Sequence, residues 1–241
     1  RAEGIDRGAR RIHVPGRPPI RYDIASVDVG ITSNMPSIPG FAAHGVAAKP
    51  LDRFADRWAA FLEMVASGAA APSVAVIGGG VGGVELALAM HHRLVRQGAT
   101  PRMAVIEAGT ALPGLAAATR AVLFERLRRA DIRLIEGDAA IEVAEDAVYT
   151  ASGRTVAASL AVGAAGATPH PWLAQLGLAH EGGFLTVDPY LRSVTDPAIY
   201  VTGDCAHLGF APRAKAGVYA VRAAPVLAHN LRADLAGGLR R

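Results

Sequence analysis

The sequence of 241 residues predicts an α/β fold that contains a Rossmann-like domain of alternating strands and helices. Two observations lead to this prediction. The segment VAVIGGGVGGVELALAM combines a short apolar strand, a glycine-rich turn and the start of an amphipathic helix. Strands and helices then alternate through the segment IRLIEGD, as they do in parallel sheets covered by helices. Because 51% of the residues are hydrophobic, the chain can bury a sizeable core.

The residues before the glycine turn predict strands followed by one helix. RRIHV and RYDIASVDVG have the composition of strands and are separated by the turn-rich segment PGRPP. A helix is predicted over residues 52–65, where apolar residues recur at helical spacing. These residues are Phe54, Trp58, Phe61 and Leu62. The segment ASGAAAPS then forms a connector to the glycine turn.

A compact α/β domain is predicted from residue 73 onward. Its strands are residues 74–77, RMAVIE, IRLIEGD and a buried strand over residues 160–162. Its helices are residues 81–97, which end at Gly98, and residues 116–130. The segment before the last strand carries three short strand-like pieces, which predict a β-meander.

The C-terminal part predicts two strands and one long helix. FLTVDPYLRSVTDPAIYVTGDCA has the pattern of strand, turn and strand, and it leads into Gly203 and Asp204. A helix follows over about residues 214–235. Pro225 is expected to kink this helix and Gly237 to end it.

Composition excludes several classes of function. Cys205 is the only cysteine, so the chain has neither an internal disulfide nor a redox pair of cysteines. The net charge is +4, but the basic ends lack interleaved aromatic residues, so no nucleic-acid partner is predicted. His91 and His92 are adjacent on one helix and point about 100° apart, so no metal site is expected there.

The glycine turn fits the G-x-G-x-x-G pattern of a dinucleotide site. Gly78 permits the tight exit from the strand, Gly80 lets the backbone approach a pyrophosphate, and Gly83 lets the helix pack closely on the strand. The helix, which begins at Val81, then presents free N–H groups to the phosphates. Glu107 ends the next strand and can accept hydrogen bonds from ribose hydroxyls. Its charge would repel a 2′-phosphate, so NAD(H) is favoured over NADP(H).

Glu85 is predicted in the first turn of the same helix and has two interpretations. Its carboxylate can simply interact favourably with the positive end of the helix dipole. Alternatively, because a carboxylate facing an anionic pyrophosphate would be repelled, it faces the nicotinamide side of the site. Position alone does not decide between them.

Three further segments, in order around the glycine turn, resemble the pyridine nucleotide-disulfide oxidoreductase superfamily. YDIASVDVG (residues 22–30) and AVGAAGATP (residues 161–169) are similar to its two crossover segments, where the chain passes between an FAD and an NAD domain. TDPAIYVTGDCA (residues 195–206) resembles its C-terminal FAD motif. Within the superfamily the chain looks most like type II NADH dehydrogenases. GGVELALAMHHRL and PRAKAGVYAVRAAPVLAHNL are similar to a narrower group, the FAD-dependent modules fused to selenide, water dikinase.

The resemblance implies an NAD(H)-binding domain inserted into an FAD domain. Residues 1–50 would form the first part of the FAD domain, 51–72 a helix and connector, 73–163 the NAD(H)-binding domain, and 164–241 the second part of the FAD domain. The cofactors implied are FAD and NAD.

Specific residues acquire roles from the same resemblance. Gly166 lies in the second crossover segment, beside the cofactors. Gly203 would let FAD approach closely, and the Asp204 carboxylate would accept hydrogen bonds from ribitol hydroxyls. Lys215 precedes the last helix, where it either stabilises the anionic reduced flavin or is an ordinary solvent-exposed lysine. No residue is required as an acid or base for hydride transfer, so no catalytic residue is named.

The sequence also departs from the superfamily pattern. It lacks the N-terminal strand, G-x-G-x-x-G turn and helix for FAD, so the chain is expected to be the later part of a longer parent, and retention of FAD is an open question. It has no redox cysteine pair, which excludes disulfide reduction. The segment KAGVYAVRAA has no glutamine where type II dehydrogenases usually carry one near the quinone, and no amphipathic C-terminal membrane anchor like that of those enzymes is expected.

The expected function is FAD-dependent NADH oxidation, with hydride passing to the flavin and on to an unidentified acceptor, a quinone or another small molecule. The alternative is a non-catalytic NAD(H)-binding module of a larger flavoprotein. The partner expectations are fusion to or association with a selenide, water dikinase, and a homodimer. The expected location is the cytoplasm, with the full-length protein peripheral to the inner face of the membrane.

Overall fold

The computed structural model describes residues 2–33, 35 and 37–241 and divides into two compact units. The split unit consists of Arg1–Ile31 and Ala167–Arg241, and the central unit consists of Thr32–Gly166. None of the helices in the described ranges is long and apolar enough to cross a membrane.

The described residues contain sixteen strands and six α-helices. The strands are β1 (Gly4–Asp6), β2 (Arg11–His13), β3 (Ile20–Arg21), β4 (Ala25–Val27), β5 (Gly45–Ala47), β6 (Ser73–Ile77), β7 (Arg102–Ile106), β8 (Ile132–Ile135), β9 (Ala140–Val143), β10 (Ala147–Thr150), β11 (Thr155–Ala157), β12 (Leu160–Gly163), β13 (His180–Glu181), β14 (Phe184–Thr186), β15 (Ile199–Val201) and β16 (Ala206–His207). The helices are α1 (Phe41–His44), α2 (Leu51–Ala66), α3 (Val81–Arg96), α4 (Ala117–Arg129), α5 (Pro171–Ala174) and α6 (Gly217–Ala236).

The central unit is built on a five-stranded parallel sheet with the order β5-β12-β6-β7-β8. Strand β6 is paired on both sides, and all five of its residues are buried. Such continuous apolar strands are typical of parallel sheets that are covered on both faces. The predicted α/β fold with Rossmann-like strands is therefore confirmed.

Helix α3 forms for the reasons that its sequence indicated. Val84, Ala87, Met90 and Leu94 recur at intervals of three and four residues and are all buried. The helix ends just before Gly98, whose φ of 83° lies in the left-handed region that glycine adopts without strain. The predicted stop at Gly98 is confirmed.

The β-meander of the central unit, β9 to β11, is fixed at one end by a buried carboxylate. Oδ2 of Asp138 accepts hydrogen bonds from the hydroxyls of Thr150 and Ser152, each at 2.7 Å, and Oδ1 accepts one from the Ser152 N–H at 2.9 Å. The hydrogen bonds from Ser152 and Thr150 lower the pKa of the Asp138 carboxyl below its ordinary value, with a smaller contribution from Arg154.

Replacing Asp138 with asparagine should therefore lower the free energy of unfolding in a pH-dependent way. A depressed native pKa stabilises the fold above the pKa of the unfolded chain, and this stabilisation is lost as the pH falls through the native pKa. The deficit of Asp138→Asn should be largest near about pH 7 and shrink on acidification. Urea unfolding at several pH values measures it, with the exposed Asp146→Asn in the same meander as control. A deficit that does not change with pH would contradict the assignment.

The split unit pairs two strands that are far apart in sequence. β4 and β15 run parallel, with Ala25 opposite Ile199 and Val27 opposite Val201. These strands pack in a core that also contains Leu173. The other sheets of this unit have the orders β1-β2-β3 and β13-β14-β16.

Helix α6 is anchored to β15 through Tyr200. The Tyr200 side chain is fully buried, and its hydroxyl donates a hydrogen bond to Oδ2 of Asp234 at 2.7 Å. The helix begins at Gly217, three residues later than expected, and includes Pro225. The kink expected at Pro225 stays a prediction. The helix ends at Gly237, whose φ is 73°, so that predicted stop is confirmed.

Candidate functional site

The glycine turn of the central unit joins β6 to α3, as the sequence indicated. Gly78 has a φ of 117°, and its N–H donates a hydrogen bond to the Ile106 carbonyl at 2.8 Å. A Cβ at this position would lie 2.5 Å from the backbone nitrogen of Ala165. Only glycine satisfies both the backbone angle and this close approach.

The other two glycines of the pattern differ in their surroundings. A Cβ on Gly83 would collide with the carbonyl oxygen of Gly78, so this glycine lets α3 pack against the end of β6. A Cβ on Gly80 would meet no atom within 4 Å, and Gly80 has an ordinary φ of −68°. Gly80 therefore leaves open space at the start of α3, next to the exposed Val81. The first N–H groups of a helix lack partners within the helix, so an anion can bind here.

Glu107 is hydrogen-bonded to the glycine turn. Its Oε2 accepts a hydrogen bond from the Gly79 N–H at 2.7 Å, and its Oε1 accepts one from the Gly109 N–H at 2.9 Å. The Gly79 carbonyl in turn accepts a hydrogen bond from the Leu112 N–H at 2.8 Å. Each carboxylate oxygen can still accept a further hydrogen bond, so a ribose hydroxyl can be bound at the same place.

Two other predicted residues lie further from the centre of the turn. Because α3 starts at Val81, Glu85 is in its second turn rather than its first, and its side chain is exposed. The expectation that Glu85 occupies the first turn was wrong, which removes the dipole interpretation because that effect is confined to the first turn. Gly166 is exposed and has a φ of 72°, with no atom near a Cβ placed on it.

Gly203 and Asp204 lie at the carboxyl end of β15 in the split unit. Gly203 has a φ of 68°, and a Cβ on it would collide with the carboxylate of Asp28, which follows β4. Asp204 is buried. The two carboxylates therefore stand at the same edge of the β4–β15 pair, which is where parallel sheets commonly bind ligands.

The charge state of Asp28 reflects this position. Although part of the Asp28 side chain reaches solvent, its carboxyl is partly desolvated at the strand end. This desolvation, with a smaller contribution from the Asp204 carboxylate, raises the pKa of Asp28 above its ordinary value. At this edge the Asp28 carboxyl is therefore harder to ionise than an isolated aspartate.

Lys215 lies between β16 and α6 and is half-buried. Its Nζ donates a hydrogen bond to the Ala206 carbonyl at 2.5 Å and lies 4.1 Å from the centroid of the Phe184 ring. Burial lowers the pKa of Lys215, while Asp204 opposes that shift. These contacts contradict the interpretation of Lys215 as an ordinary solvent-exposed lysine.

One cavity brings the three predicted residues of the split unit together. Its volume is about 120 Å³, and its wall includes Gly203, Asp204 and Lys215. Thr202 and Tyr219 also line it. The lining thus combines an aspartate, a lysine, an arginine and two residues with hydroxyl groups next to the start of α6.

Two residues at these sites were missed in the sequence. Gly79 binds Glu107 through its N–H, and Asp28 contacts Gly203. Asp28 could have been found, because it ends a strand as Asp204 does, within the segment YDIASVDVG. Gly79 gave no separate signal because every residue from 78 to 80 is glycine.

The remaining candidate groups do not form a reactive centre. Cys205 is fully buried, its thiol donates a hydrogen bond to the Thr202 carbonyl at 3.2 Å, and burial raises its pKa. Within the described ranges, no group of three or more histidine, cysteine, aspartate or glutamate side chains could hold a metal ion.

Comparison with known proteins places these features in a family. The family model for pyridine nucleotide-disulphide oxidoreductases matches residues 2–228. A curated NADH dehydrogenase-like protein of Mycobacterium tuberculosis is 29% identical over 212 residues, which cover 84% of this chain and 53% of that protein. The chain therefore spans about half the length of the curated relatives it matches.

Solved structures show the same fold. A FAD-dependent pyridine nucleotide-disulphide oxidoreductase from Desulfovibrio vulgaris is 25% identical, with a TM-score of 0.73 over 96% of this chain and 60% of that chain. A ferredoxin reductase from Rhodopseudomonas palustris is 23% identical, with a TM-score of 0.75 over 95% of this chain and 56% of that chain.

Proposed function

Because the chain belongs to the pyridine nucleotide-disulphide oxidoreductase family, we propose that it is the NAD(H)-binding and partial FAD-binding portion of an NADH dehydrogenase-like oxidoreductase. The observation that carries this proposal is the glycine turn, which combines Gly80, open to a ligand, with Glu107, bonded to the Gly79 N–H. The central unit would serve as the NAD(H)-binding domain and the split unit as part of the FAD domain.

The residues of the central unit fit NADH. The pyrophosphate would lie over Gly80 and Val81 at the start of α3, where a side chain at position 80 would obstruct it. The Glu107 carboxylate would accept hydrogen bonds from a ribose hydroxyl and repel a 2′-phosphate. Gly78 and Gly83 would hold the turn in shape, while Glu85 and Gly166 would line the outer part of the site.

The residues of the split unit fit part of FAD. Pockets for ligands of drug size have volumes of about 300–1,000 Å³. The cavity of about 120 Å³ therefore suits only a portion of the cofactor. Asp204 would accept hydrogen bonds from ribitol hydroxyls, and Gly203 would let the Asp28 carboxylate approach the strand end beside the cofactor. Lys215 would offset negative charge on the reduced flavin, helped by the positive end of α6.

The reaction follows from the cofactors, and the chain supplies their positions. FAD would provide a group that accepts hydride from NADH. The residues of this chain would bind and orient the two cofactors and stabilise their charges, and none is required to transfer a proton. Disulfide reduction is excluded for this chain because Cys205 is its only cysteine.

Partners and location are part of the same proposal. The electron acceptor would be a quinone or another small molecule, although the absence of glutamine from KAGVYAVRAA argues against a quinone. Fusion to a selenide, water dikinase, a homodimer and a cytoplasmic location at the inner face of the membrane stay predictions from the sequence.

The proposal can be tested with the purified 241-residue chain. We expect calorimetric binding of NADH, yellow flavin absorbance after incubation with FAD, and anaerobic bleaching of that absorbance by NADH. A chain that binds NADH but not FAD would instead be a non-catalytic NAD(H)-binding module. A chain that binds neither nucleotide would contradict both functions.

Replacing Glu107 with glutamine should reduce the preference for NADH over NADPH about tenfold, because it removes the charge that repels the 2′-phosphate. Calorimetric titration with both nucleotides measures the ratio of the two dissociation constants. Glu136→Gln is the matched control, since Glu136 also accepts a backbone hydrogen bond, from the Ala111 N–H at 2.7 Å. An unchanged ratio in Glu107→Gln would contradict the assigned role.

A further inference from the structure

Thr202 has a buried hydroxyl that the fold does not use. The residue follows β15 and is 3% exposed, and its N–H donates a hydrogen bond to the Val27 carbonyl at 3.0 Å. Its side-chain oxygen has no hydrogen-bond partner among the residues that the structure describes. Leaving a buried hydroxyl unpaired is unfavourable, so such a group calls for an explanation.

The location of Thr202 supplies that explanation. It lines the same cavity of about 120 Å³ as Gly203, Asp204 and Lys215. Valine has nearly the same shape and would fill the position without an unpaired hydroxyl, so packing alone does not require threonine. A ligand bound in the cavity would supply the missing hydrogen-bond partner of the Thr202 hydroxyl.

The neighbouring groups indicate the chemistry of that partner. Asp204, two residues further along the chain, is buried. Asp28 lies at the same edge of the β4–β15 pair, in contact with Gly203. Arg213 and Lys215 also line the cavity and attract anions, but carboxylate oxygens only accept hydrogen bonds and need a donor that an ionised phosphate lacks. A ligand hydroxyl suits the site better, because it can donate to a carboxylate and also exchange a hydrogen bond with the Thr202 hydroxyl.

We propose that Thr202 is a further cofactor-binding residue, whose hydroxyl forms a hydrogen bond with a hydroxyl of the ribityl chain of FAD beside Asp204. This inference rests on the proposed function, because it assumes that the cavity receives part of FAD. It assigns to Thr202 a direct contact with the ligand and no role in moving a proton or hydride.

The proposal predicts opposite effects of one substitution on stability and on binding. Thr202→Val removes an unpaired buried hydroxyl, so the ligand-free chain should be as stable as the wild type or more stable. The same change removes the contact with FAD, so the dissociation constant for FAD should rise about tenfold. Thr202→Ser keeps the hydroxyl and should bind FAD within about threefold of the wild type.

Thr150→Val is the matched control for stability. The Thr150 hydroxyl is also buried but donates to Asp138 at 2.7 Å, so its loss should destabilise the chain. Urea unfolding and flavin-fluorescence titration with FAD measure the two properties.

The outcomes are distinct. Wild-type affinity for FAD in Thr202→Val would overturn the inference, as would a loss of stability like that of Thr150→Val. Failure of the wild-type chain to bind FAD would overturn the proposed flavin function and this inference together. A tenfold loss in Thr202→Val, retained binding in Thr202→Ser and undiminished stability would support the assignment.

Discussion

Alanine in place of Gly80 is expected to weaken NADH binding at least tenfold while changing the free energy of unfolding by less than about 1 kcal/mol. The backbone at Gly80, with φ −68° and ψ 173°, is available to alanine, and no atom lies within 4 Å of the added Cβ. Alanine is a poorer residue at the start of a helix, but it also reduces the entropy of the unfolded chain, and these effects offset each other. The added methyl group would meet only the bound pyrophosphate.

Two neighbouring substitutions turn this prediction into a series. Gly82→Ala also enters open space within α3, so it should raise stability slightly, because alanine favours a helix over glycine, and leave NADH affinity nearly unchanged. Gly83→Ala brings a Cβ against the Gly78 carbonyl and should impair both. Calorimetric titration with NADH and urea unfolding of the three variants provide the comparison. Unaltered NADH affinity in Gly80→Ala would show that the nucleotide does not lie over this turn.

The largest loss of stability is expected for Gly78→Ala, at about 3 kcal/mol or more. Alanine at a φ of 117° is strained, and its Cβ would lie 2.5 Å from the nitrogen and 2.7 Å from the Cβ of Ala165. Neither Ala165 atom is the end of a flexible side chain, so β6 and the segment after β12 would have to separate.

Gly98→Ala separates the two causes of that loss. Gly98 has a φ of 83° but no atom within 4 Å of an added Cβ, so its replacement should cost only about 1–2 kcal/mol of backbone strain. Trp58 lies in the central unit and Trp172 in the split unit, and they are the only tryptophans. In a Trp172→Phe background, the fluorescence of Trp58 therefore reports the unfolding of the central unit. Equal losses for Gly78→Ala and Gly98→Ala would show that the contact with Ala165 adds nothing.

Periodicity was sufficient to predict the elements that bury a continuous apolar face. Strand β6 and helices α2 and α3 were predicted to within two residues, because packing and local propensity agree in these segments. The glycine pattern located the candidate nucleotide turn for a similar reason, since a tight exit and a close helix approach both require glycine at fixed spacing.

Other elements depend on partners that the local sequence does not contain. Strand β5, Gly45–Ala47, has only three residues and is a strand because β12 pairs with it. The four-residue helices α1 and α5 are too short for a periodic pattern. The unpaired Thr202 hydroxyl could not have been predicted either, because the absence of a partner is a property of the folded chain.

The division of the split unit between the two ends of the chain has a consequence for biosynthesis. Cys205 contacts Val27 across 178 positions of sequence, whereas every strand of the parallel sheet lies within Thr32–Gly166. A ribosome adding roughly 5–20 residues per second would complete the central unit first. It would leave β4 without its neighbour β15 for on the order of ten seconds. During that interval Ala25 and Val27, buried in the finished protein, would offer an open strand edge to chaperones and to other nascent chains.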